Sequence, residues 1–218
     1  MVLHLAEHLA VPMRERNVLL VAAGYAPVYR ERTFDDPGLQ AALDAVQLIL
    51  KGHEPHPALA IDRHWTLIAA NQAVSFLLTG IDPVLLEPPV NVLRLSLHPQ
   101  GLAPRIGNFR EWRAHVIGRL VLQIDSSADA FLMTLLEEIK SYPVPPGAKP
   151  HWPCRKNGLA GIAVPFELVT ESGTLSFLST TTVFGTALDI SLAELAIESF
   201  FPADAHTADA MRVERQTS

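Results

Sequence analysis

Three histidines, His53, His56 and His64, are close enough in the chain to be considered as metal ligands. Zinc proteases hold their metal with a His-Glu-x-x-His motif on one helix, because that spacing puts both imidazoles on the same helical face. This chain instead reads His53-Glu-Pro-His56, and Pro55 would break the helix that the motif requires. The pattern does not favour a metal site, and no cofactor is indicated.

The single cysteine, Cys154, lies in a proline-rich stretch beside Arg155 and Lys156. Neighbouring cations can lower the pKa of a thiol and make it reactive, so a redox sensor is one hypothesis and an inert loop thiol is the simpler one. One cysteine excludes an internal disulfide framework. The sequence contains no Gly-x-Ser-x-Gly, P-loop or Gly-x-Gly-x-x-Gly motif and gives no support to an enzyme.

The length, composition and net charge of the chain exclude further classes of function. The chain has 218 residues, 49% of them hydrophobic, and a formal net charge of -6. This apolar content can fill the core of one domain, with or without an appendage. A net negative charge does not suit a protein that grips DNA by itself, because such proteins cluster Lys and Arg. No apolar run reaches the ~20 residues that span a bilayer, and the first residues do not resemble a signal peptide, so we expect a cytoplasmic protein with no membrane partner.

Helical patterns fill the first part of the chain. Apolar residues over 3–23 predict two short helices, broken near Pro12 and ended at Gly24. Asp36 is expected to cap a third helix that has Pro37 in its first position. The apolar face predicted for this helix consists of Leu39, Leu43, Val46, Ile49 and Leu50.

Alternating apolar residues at 58–61 and 66–69 predict two strands joined by a polar turn. Asn71 is expected to cap the following helix and to tie the two strands together. The segment 91–99 could be a short helix capped by Asn91 or a strand ended by Pro99. We left both open.

Two longer helices and a strand-rich region complete the chain. A helix is predicted to begin at Asn108, and Ser127 is expected to open the next one. Residues 162–169 and 175–184 predict a hairpin, and 192–201 also reads as a strand. The predicted fold class is α+β, with an antiparallel sheet whose inner face is covered by helices and which is preceded by N-terminal helices.

Three parts of the sequence resemble known regulators. The order of strand, polar turn, strand and helix over 57–73 resembles the entry to a PAS domain. Residues 5–25 resemble the last helix and exit of an XRE-type helix-turn-helix domain. Asn91-Val-Leu-Arg-Leu-Ser-Leu-His-Pro and Ser179-Thr-Thr-Thr-Val-Phe-Gly-Thr resemble the ligand-binding domain of MmyB/MltR-type bacterial transcription regulators.

The resemblance implies a division of the chain. Residues 1–26 would be the exit helices of a helix-turn-helix domain, 27–56 a connecting helix, 57–205 a PAS-like ligand-binding domain, and 206–218 a C-terminal tail. It further implies a hydrophobic ligand of the fatty-acid type, and DNA binding only through an N-terminal domain whose recognition helix is missing from this chain. We expect a homodimer, because an apolar helical tail without a partner favours association.

In a PAS-like core the ligand lies between the sheet and the helices, so large apolar residues near both are the candidates. The predicted ligand-binding residues are Trp65, Phe76, Leu93, Leu95, Trp112, Val116, Phe177 and Phe184. A fatty-acid carboxylate also needs a cation or hydrogen-bond donors, because burying it without a partner is costly. The predicted head-group residues are Arg94, His98 and Arg113. The plainer interpretation is that the first group only packs the core and the second only carries surface charge.

Two other functions remain open. The domain could be a protein–protein or dimerisation module whose core is filled by its own side chains, in which case an exposed apolar patch should mark the partner surface. An enzyme on a PAS-like scaffold would need a polar constellation in the core, and the sequence does not supply one.

Overall fold

The chain begins with two short helices, as the apolar pattern predicts. The computed structural model describes residues 1–150, 164–171, 173–185 and 189–217, with side chains as far as residue 212. Helix α1 spans Val2–His8 and α2 spans Met13–Ala22, with Pro12 at the junction. Proline is tolerated there because the first amides of a helix have no helical acceptor.

Asp36 and Pro37 open the third helical segment as predicted, through a 3-10 turn that leads into the helix. Asp36 accepts a hydrogen bond from the backbone amide two residues on at 2.7 Å, which opens a 3-10 turn over Pro37–Leu39. Helix α3 follows at Gln40–Gly52. Leu50 is buried, but Ile49 is 45% exposed. Placing Ile49 on the apolar face was wrong, since neighbouring residues point about 100° apart around a helix.

Five strands in the described residues form one antiparallel sheet. They are β1 Ala58–Ile61, β2 Leu67–Ala70, β3 Phe166–Thr170, β4 Gly173–Val183 and β5 Ala196–Pro202. Their order across the sheet is β2-β1-β5-β4-β3, so the last strand lies at the centre. This sheet, with helices over one face and the N-terminal helices before it, confirms the predicted α+β, PAS-like fold.

The predicted hairpin is present between β3 and β4. Phe166 pairs with Phe177 and the pairing runs to Thr170 opposite Gly173, whose φ of +123° suits a residue without a side chain. The predicted start of this strand at residue 162 lies outside the described residues, as does Cys154.

The last predicted strand begins later than expected. Helix α8 spans Ile190–Ala193, and only then does the chain enter β5. Asp189 caps α8 by accepting a hydrogen bond from the amide of Ser191 at 2.9 Å. Assigning Leu192 to a strand was therefore wrong, because the cap fixes one helical turn ahead of the strand.

Among the described residues, four helices form the layer on the inner side of the sheet, and the last of them packs on the two before it. They are α4 Val74–Leu77, α5 Val92–Leu97, α6 Phe109–Ser127 and α7 Ala130–Ser141. Asn91 accepts hydrogen bonds from the amides of Leu93 and Arg94, which identifies the segment 91–99 as a capped helix and not a strand. The predicted start of α6 at Asn108 is confirmed.

Two predicted caps are wrong. Ser127 ends α6, and Asp129 caps α7 by accepting hydrogen bonds from the next amides. Asn71 does not cap α4, which begins three residues later. Its side chain accepts from the Ala58 amide at 3.0 Å and donates to the Leu50 carbonyl at 3.1 Å, so it ties α3 to both strands of the first hairpin. That tying role was predicted.

The sheet has a core on each face. The larger core lies against α4–α7 and includes Phe109, Leu120 and Phe177. The smaller one lies against α3 and includes Val46 and Leu195. Helix α9, Ala205–Thr217, follows β5 and contributes a buried methionine to the larger core. Within the described part of the chain, no helix combines the length and apolar character needed to cross a membrane.

Candidate functional site: an apolar cavity with one ion pair in its wall

Strand alternation decides which side chains face the helices. Successive residues of a strand point to opposite faces of the sheet. In β5, Ile197 packs into the core beside α3, whereas Glu198 and Phe200 face α4–α6. In β1 the same alternation sends Ala58 and Ala60 toward α3 and Leu59 inward. The described inner face of β1 and β5 therefore places the acidic Glu198 beside the apolar Leu59 and Phe200.

A cavity of about 90 Å³ lies between this face and the helices. Its wall is built by β1, β2, β3, β5 and the helices α4, α5 and α6, and most of its side chains are apolar. The lining residues are Leu59, Trp65, Leu67, Val74, Leu77, Leu78, Val92, Leu93, Leu95, Ser96, Leu102, Trp112, Val116, Arg119, Phe166, Glu198 and Phe200.

Trp65 enters the cavity from the turn between β1 and β2 with an unusual backbone. Its φ is +65°, a conformation that costs energy for a bulky residue and is kept only when its surroundings fix it. The indole Nε1 donates to Gln123 Oε1 at 2.9 Å, and Gln123 donates in turn to the Arg63 carbonyl at 2.6 Å. The Arg119 guanidinium carbon lies 4.8 Å from the indole ring centre, within cation–π range.

Arg119 and Glu198 form an ion pair in the cavity wall. Arg119 Nη2 donates to Glu198 Oε1 at 2.6 Å and Nη1 donates to Oε2 at 3.3 Å. Thr181, which pairs with Glu198 across β4 and β5, accepts from Arg119 at 3.0 Å and donates to Glu198 at 2.7 Å. Glu198 is only 5% exposed, so these partners take the place of water around its carboxylate.

The remaining polar lining group is Ser96. Trp112 donates from Nε1 to Ser96 Oγ at 2.9 Å, which joins α6 to α5 across the cavity. The imidazole of His115 lies one residue before Val116 on α6. Burial lowers its pKa, and the positive charge of Arg119 lowers it further.

The structure brings together five of the predicted ligand-binding residues. Trp65, Leu93, Leu95, Trp112 and Val116 all line the cavity. Their contact with a ligand remains a prediction.

The other three lie elsewhere. Phe76 packs at the edge of the larger core, and Phe177 is fully buried in that core behind Phe166 and Phe200. Phe184 packs against the smaller core, which lies on the opposite face of the sheet.

The predicted head-group residues do not line the cavity. Arg94 binds the Glu138 carboxylate with two hydrogen bonds of 2.8 and 2.7 Å. Arg113 donates to two carbonyls at the C-terminal end of α7. The ring of His98 lies 5.0 Å from that of Tyr142. All three side chains attach α5 or α6 to α7, on the far side of the helical layer.

Sequence reasoning missed Ser96, Arg119 and Glu198. Arg119 lies seven residues after Trp112 and three after Val116, which is the spacing of one helical face. Glu198 alternates with Ala196 and Phe200 in a strand that is otherwise apolar or small on that face. Both signals were present in the sequence, and an acid and a base on converging apolar faces indicate a buried pair.

Comparison with known proteins supports the same conclusion as the fold. No match was found among curated proteins. A family model described as the MmyB-like transcription regulator ligand binding domain matches residues 42–213, which include the sheet and every residue that lines the cavity. The chain therefore belongs to the family of MmyB-like transcription regulator ligand-binding domains.

Proposed function

We propose that this domain binds a hydrophobic small molecule of the fatty-acid type in the cavity between the sheet and α4–α6. The family is one of ligand-binding domains of transcription regulators and not of enzymes. The apolar cavity carries the proposal, because it lies where the helices meet the inner face of the sheet and is lined almost entirely by apolar side chains.

The size of the cavity indicates how a longer ligand would act. A dry cavity of about 150 Å³ holds benzene, and typical ligand pockets exceed about 300 Å³. The 90 Å³ found here suits one small apolar group. A longer acyl chain must therefore displace part of the wall, and the single-turn helix α4 and the short helix α5 offer the least resistance. Binding would then favour a second arrangement of these helices.

The turn that carries Trp65 supports a route from the cavity to the N-terminal helices. Arg63 Nη1 lies 3.1 Å from Asp129, and its Nε lies 3.8 Å from Glu194. Glu194 in turn accepts two hydrogen bonds from Arg14 in α2. A ligand that shifts Trp65 would alter these ion pairs, and through them the position of α2. In a longer regulator this would relay the signal to an N-terminal DNA-binding domain.

Copurified ligand is the direct test. Native mass spectrometry of the purified chain, followed by organic extraction, should identify a bound apolar molecule. If the protein is free of ligand, octanoate, dodecanoate and dodecanol should be tested for an increase in melting temperature, since a ligand that binds only the folded state stabilises it.

A cavity-filling variant locates the site. Val116→Phe should fill the cavity and abolish the ligand-dependent rise in melting temperature while the protein stays folded. Val183→Phe makes the same change at an exposed position away from the cavity and should leave the rise intact. Retained binding in Val116→Phe, or no binding of any probe to the wild type, would refute the proposal.

An interaction module is the second candidate. Val18 and Val21 are three residues apart on α2, and both are more than half exposed, as is Tyr25 just beyond the helix. These side chains could form a homodimer or dock a partner domain. Light scattering coupled to size exclusion should show a concentration-dependent dimer that Val18→Glu disrupts. The predicted domain boundaries and cytoplasmic location remain predictions.

A further inference from the structure

We infer that the cavity selects an uncharged apolar ligand that carries one hydrogen-bond acceptor, and discriminates against a free carboxylate. This inference rests on the proposed function. It keeps the apolar acyl chain of a fatty-acid-type ligand and specifies that the oxygen reaching the cavity is neutral, as in an ester, a ketone or an alcohol, and is not that of an ionised acid. Three features of the wall support it: an ion pair that is already neutral, the position of the other cations, and one unused hydroxyl donor.

The cation in the wall already has its anion. The guanidinium of Arg119 donates to both oxygens of Glu198 and to Thr181. Glu198 lies in the sheet between Leu59 and Thr181, and its carboxylate is held by the guanidinium of Arg119 and the hydroxyl of Thr181. Arg119 thus gives the cavity no net positive charge.

A second carboxylate would enter an unfavourable environment. It would lose its water among leucines, valines and aromatic rings, which is costly for an ionised group without a partner. It would also lie in the same small cavity as Glu198, and like charges at short distance disfavour ionisation of both. A neutral carbonyl, ether or hydroxyl oxygen has neither of these costs.

The other nearby cationic side chains bind partners outside the cavity. Arg94 neutralises Glu138, and Arg113 binds the last carbonyls of α7. No arginine or lysine of the described residues other than Arg119 lines the cavity. The fatty-acid head group predicted from the sequence would therefore have no free cation to bind at this cavity wall.

Ser96 provides the specific polar contact. Its Oγ accepts the hydrogen of Trp112 Nε1, which leaves the hydroxyl proton of Ser96 without an acceptor in the described part of the chain. Because Ser96 lines the cavity, this proton can be donated to one ligand oxygen. The matching ligand has an apolar body and one neutral oxygen acceptor.

Two probes of equal shape test the charge preference. Hexanoate and methyl pentyl ketone share a pentyl chain and a carbonyl group. They differ only in the other group on the carbonyl carbon, which is O⁻ in hexanoate and CH₃ in the ketone. Isothermal titration at neutral pH should show the ketone binding at least about tenfold more tightly, given the cost of burying an unpaired carboxylate.

Variants assign the preference to the ion pair. Glu198→Gln leaves Arg119 without its anion and should raise hexanoate affinity to or above that of the ketone. The double variant Arg119→Met with Glu198→Gln, which removes both charges, should still prefer the ketone and guards against misfolding of the single variant. Glu137→Gln, on the exposed face of α7, is the matched control and should change neither affinity.

Ser96→Ala should lower the affinity for the ketone by about two- to tenfold, which is the usual effect of losing one neutral hydrogen bond. Tighter or equal binding of hexanoate by the wild type would overturn this inference while leaving the proposed function intact. Absence of binding by both probes, with no copurified ligand, would overturn both. An unchanged preference in Glu198→Gln would also refute the role of the ion pair.

Discussion

Arg14 and Glu194 are 180 residues apart in the chain, yet the Arg14 guanidinium donates two hydrogen bonds, of 2.7 and 2.9 Å, to the Glu194 carboxylate. Arg14 also binds Glu31 with its other donors, so one cation bridges two acids. The carboxylates of Glu194 and Glu31 raise the pKa of Arg14, and the Arg14 guanidinium lowers the pKa of Glu31. Helix α2 is thereby attached to α8, immediately before the central strand of the sheet.

Removing this cation should loosen α2 without unfolding the domain. In Arg14→Gln, Glu31 and Glu194 lose their shared partner and repel each other. Partly exposed pairs of this kind contribute about 0.2–1 kcal/mol, so the melting temperature should change little. Hydrogen exchange of the α2 amides should accelerate, because local opening of the helix becomes easier.

The same variant tests the proposed relay. In the wild type, an apolar ligand should change the exchange rates of the α2 amides, and in Arg14→Gln that response should disappear while ligand affinity is kept. Arg212→Gln removes an exposed pair with Asp209 on α9 and should leave α2 unaffected. Equal exchange of α2 in wild type and Arg14→Gln would show that the ion pair does not hold the helix.

Gly101 allows the chain to fold back over α5 and close one wall of the cavity. A Cβ at this position would lie 2.3 Å from the Leu95 carbonyl oxygen, which also accepts a hydrogen bond from Leu102. Gly101→Ala should therefore destabilise the protein by about 1–3 kcal/mol or more, because backbone atoms must move. Urea unfolding would measure the change.

A second glycine provides the control. Gly118 lies in α6, where an added Cβ meets no atom of the described residues within 4 Å. Gly118→Ala should stabilise the protein by roughly 0.5–1 kcal/mol, since alanine loses less backbone entropy in a helix. Similar effects of the two substitutions would contradict the close approach at Gly101.

Local sequence signals predicted most of the fold but less of the site. The alternation over 58–61 and 66–69 and the Asp36-Pro37 start are short-range patterns, and the structure confirms them. The misplaced start of α7 has a local cause as well. Ser127 and Asp129 are both good capping residues, and sequence alone did not show that α6 runs on to Ser127.

The head-group residues could not be located from nearness in sequence. Arg94 lies between two residues that line the cavity, but a helix points successive side chains about 100° apart, so Arg94 faces α7. Arg119 faces the cavity because it shares a helical face with Trp112, and its partner Glu198 comes from a distant strand. Such a pair is fixed by the packing of α6 on β5, which no local pattern specifies.

The ion pair between Arg94 and Glu138 should make the free energy of unfolding depend on pH in the acidic range. Arg94 lowers the pKa of Glu138, and Tyr142 lowers it further by donating a hydrogen bond. A carboxylate with a lowered folded pKa contributes stability that is present above its unfolded pKa of about 4.3 and is lost as pH falls through the folded value. Glu138→Gln should therefore be less stable than the wild type at neutral pH, and the difference should shrink in acid.

Urea unfolding from about pH 7 down to about pH 3 would measure this difference. Glu137→Gln is the control on the same helix, since Glu137 is mostly exposed and pairs with Lys140 three residues on. Its stability should follow that of the wild type at every pH. A constant gap between Glu138→Gln and the wild type across the titration would mean that the lost stability is not electrostatic.

Phe177 illustrates a predicted ligand-binding residue whose position indicates a packing role. It is fully buried in β4, with its ring 6.4 Å from Phe166 and 6.5 Å from Phe200, both of which line the cavity. Phe177→Ala should cost about 3–5 kcal/mol of unfolding free energy, because the vacated volume cannot refill. Phe201→Ala, on the neighbouring strand but 43% exposed, should cost far less. Denaturant unfolding of both variants, with ligand affinity measured below the unfolding transition, distinguishes a packing role from ligand contact. Phe177→Ala should lose stability but retain ligand affinity. A loss of affinity at unchanged stability would instead place this ring against the ligand.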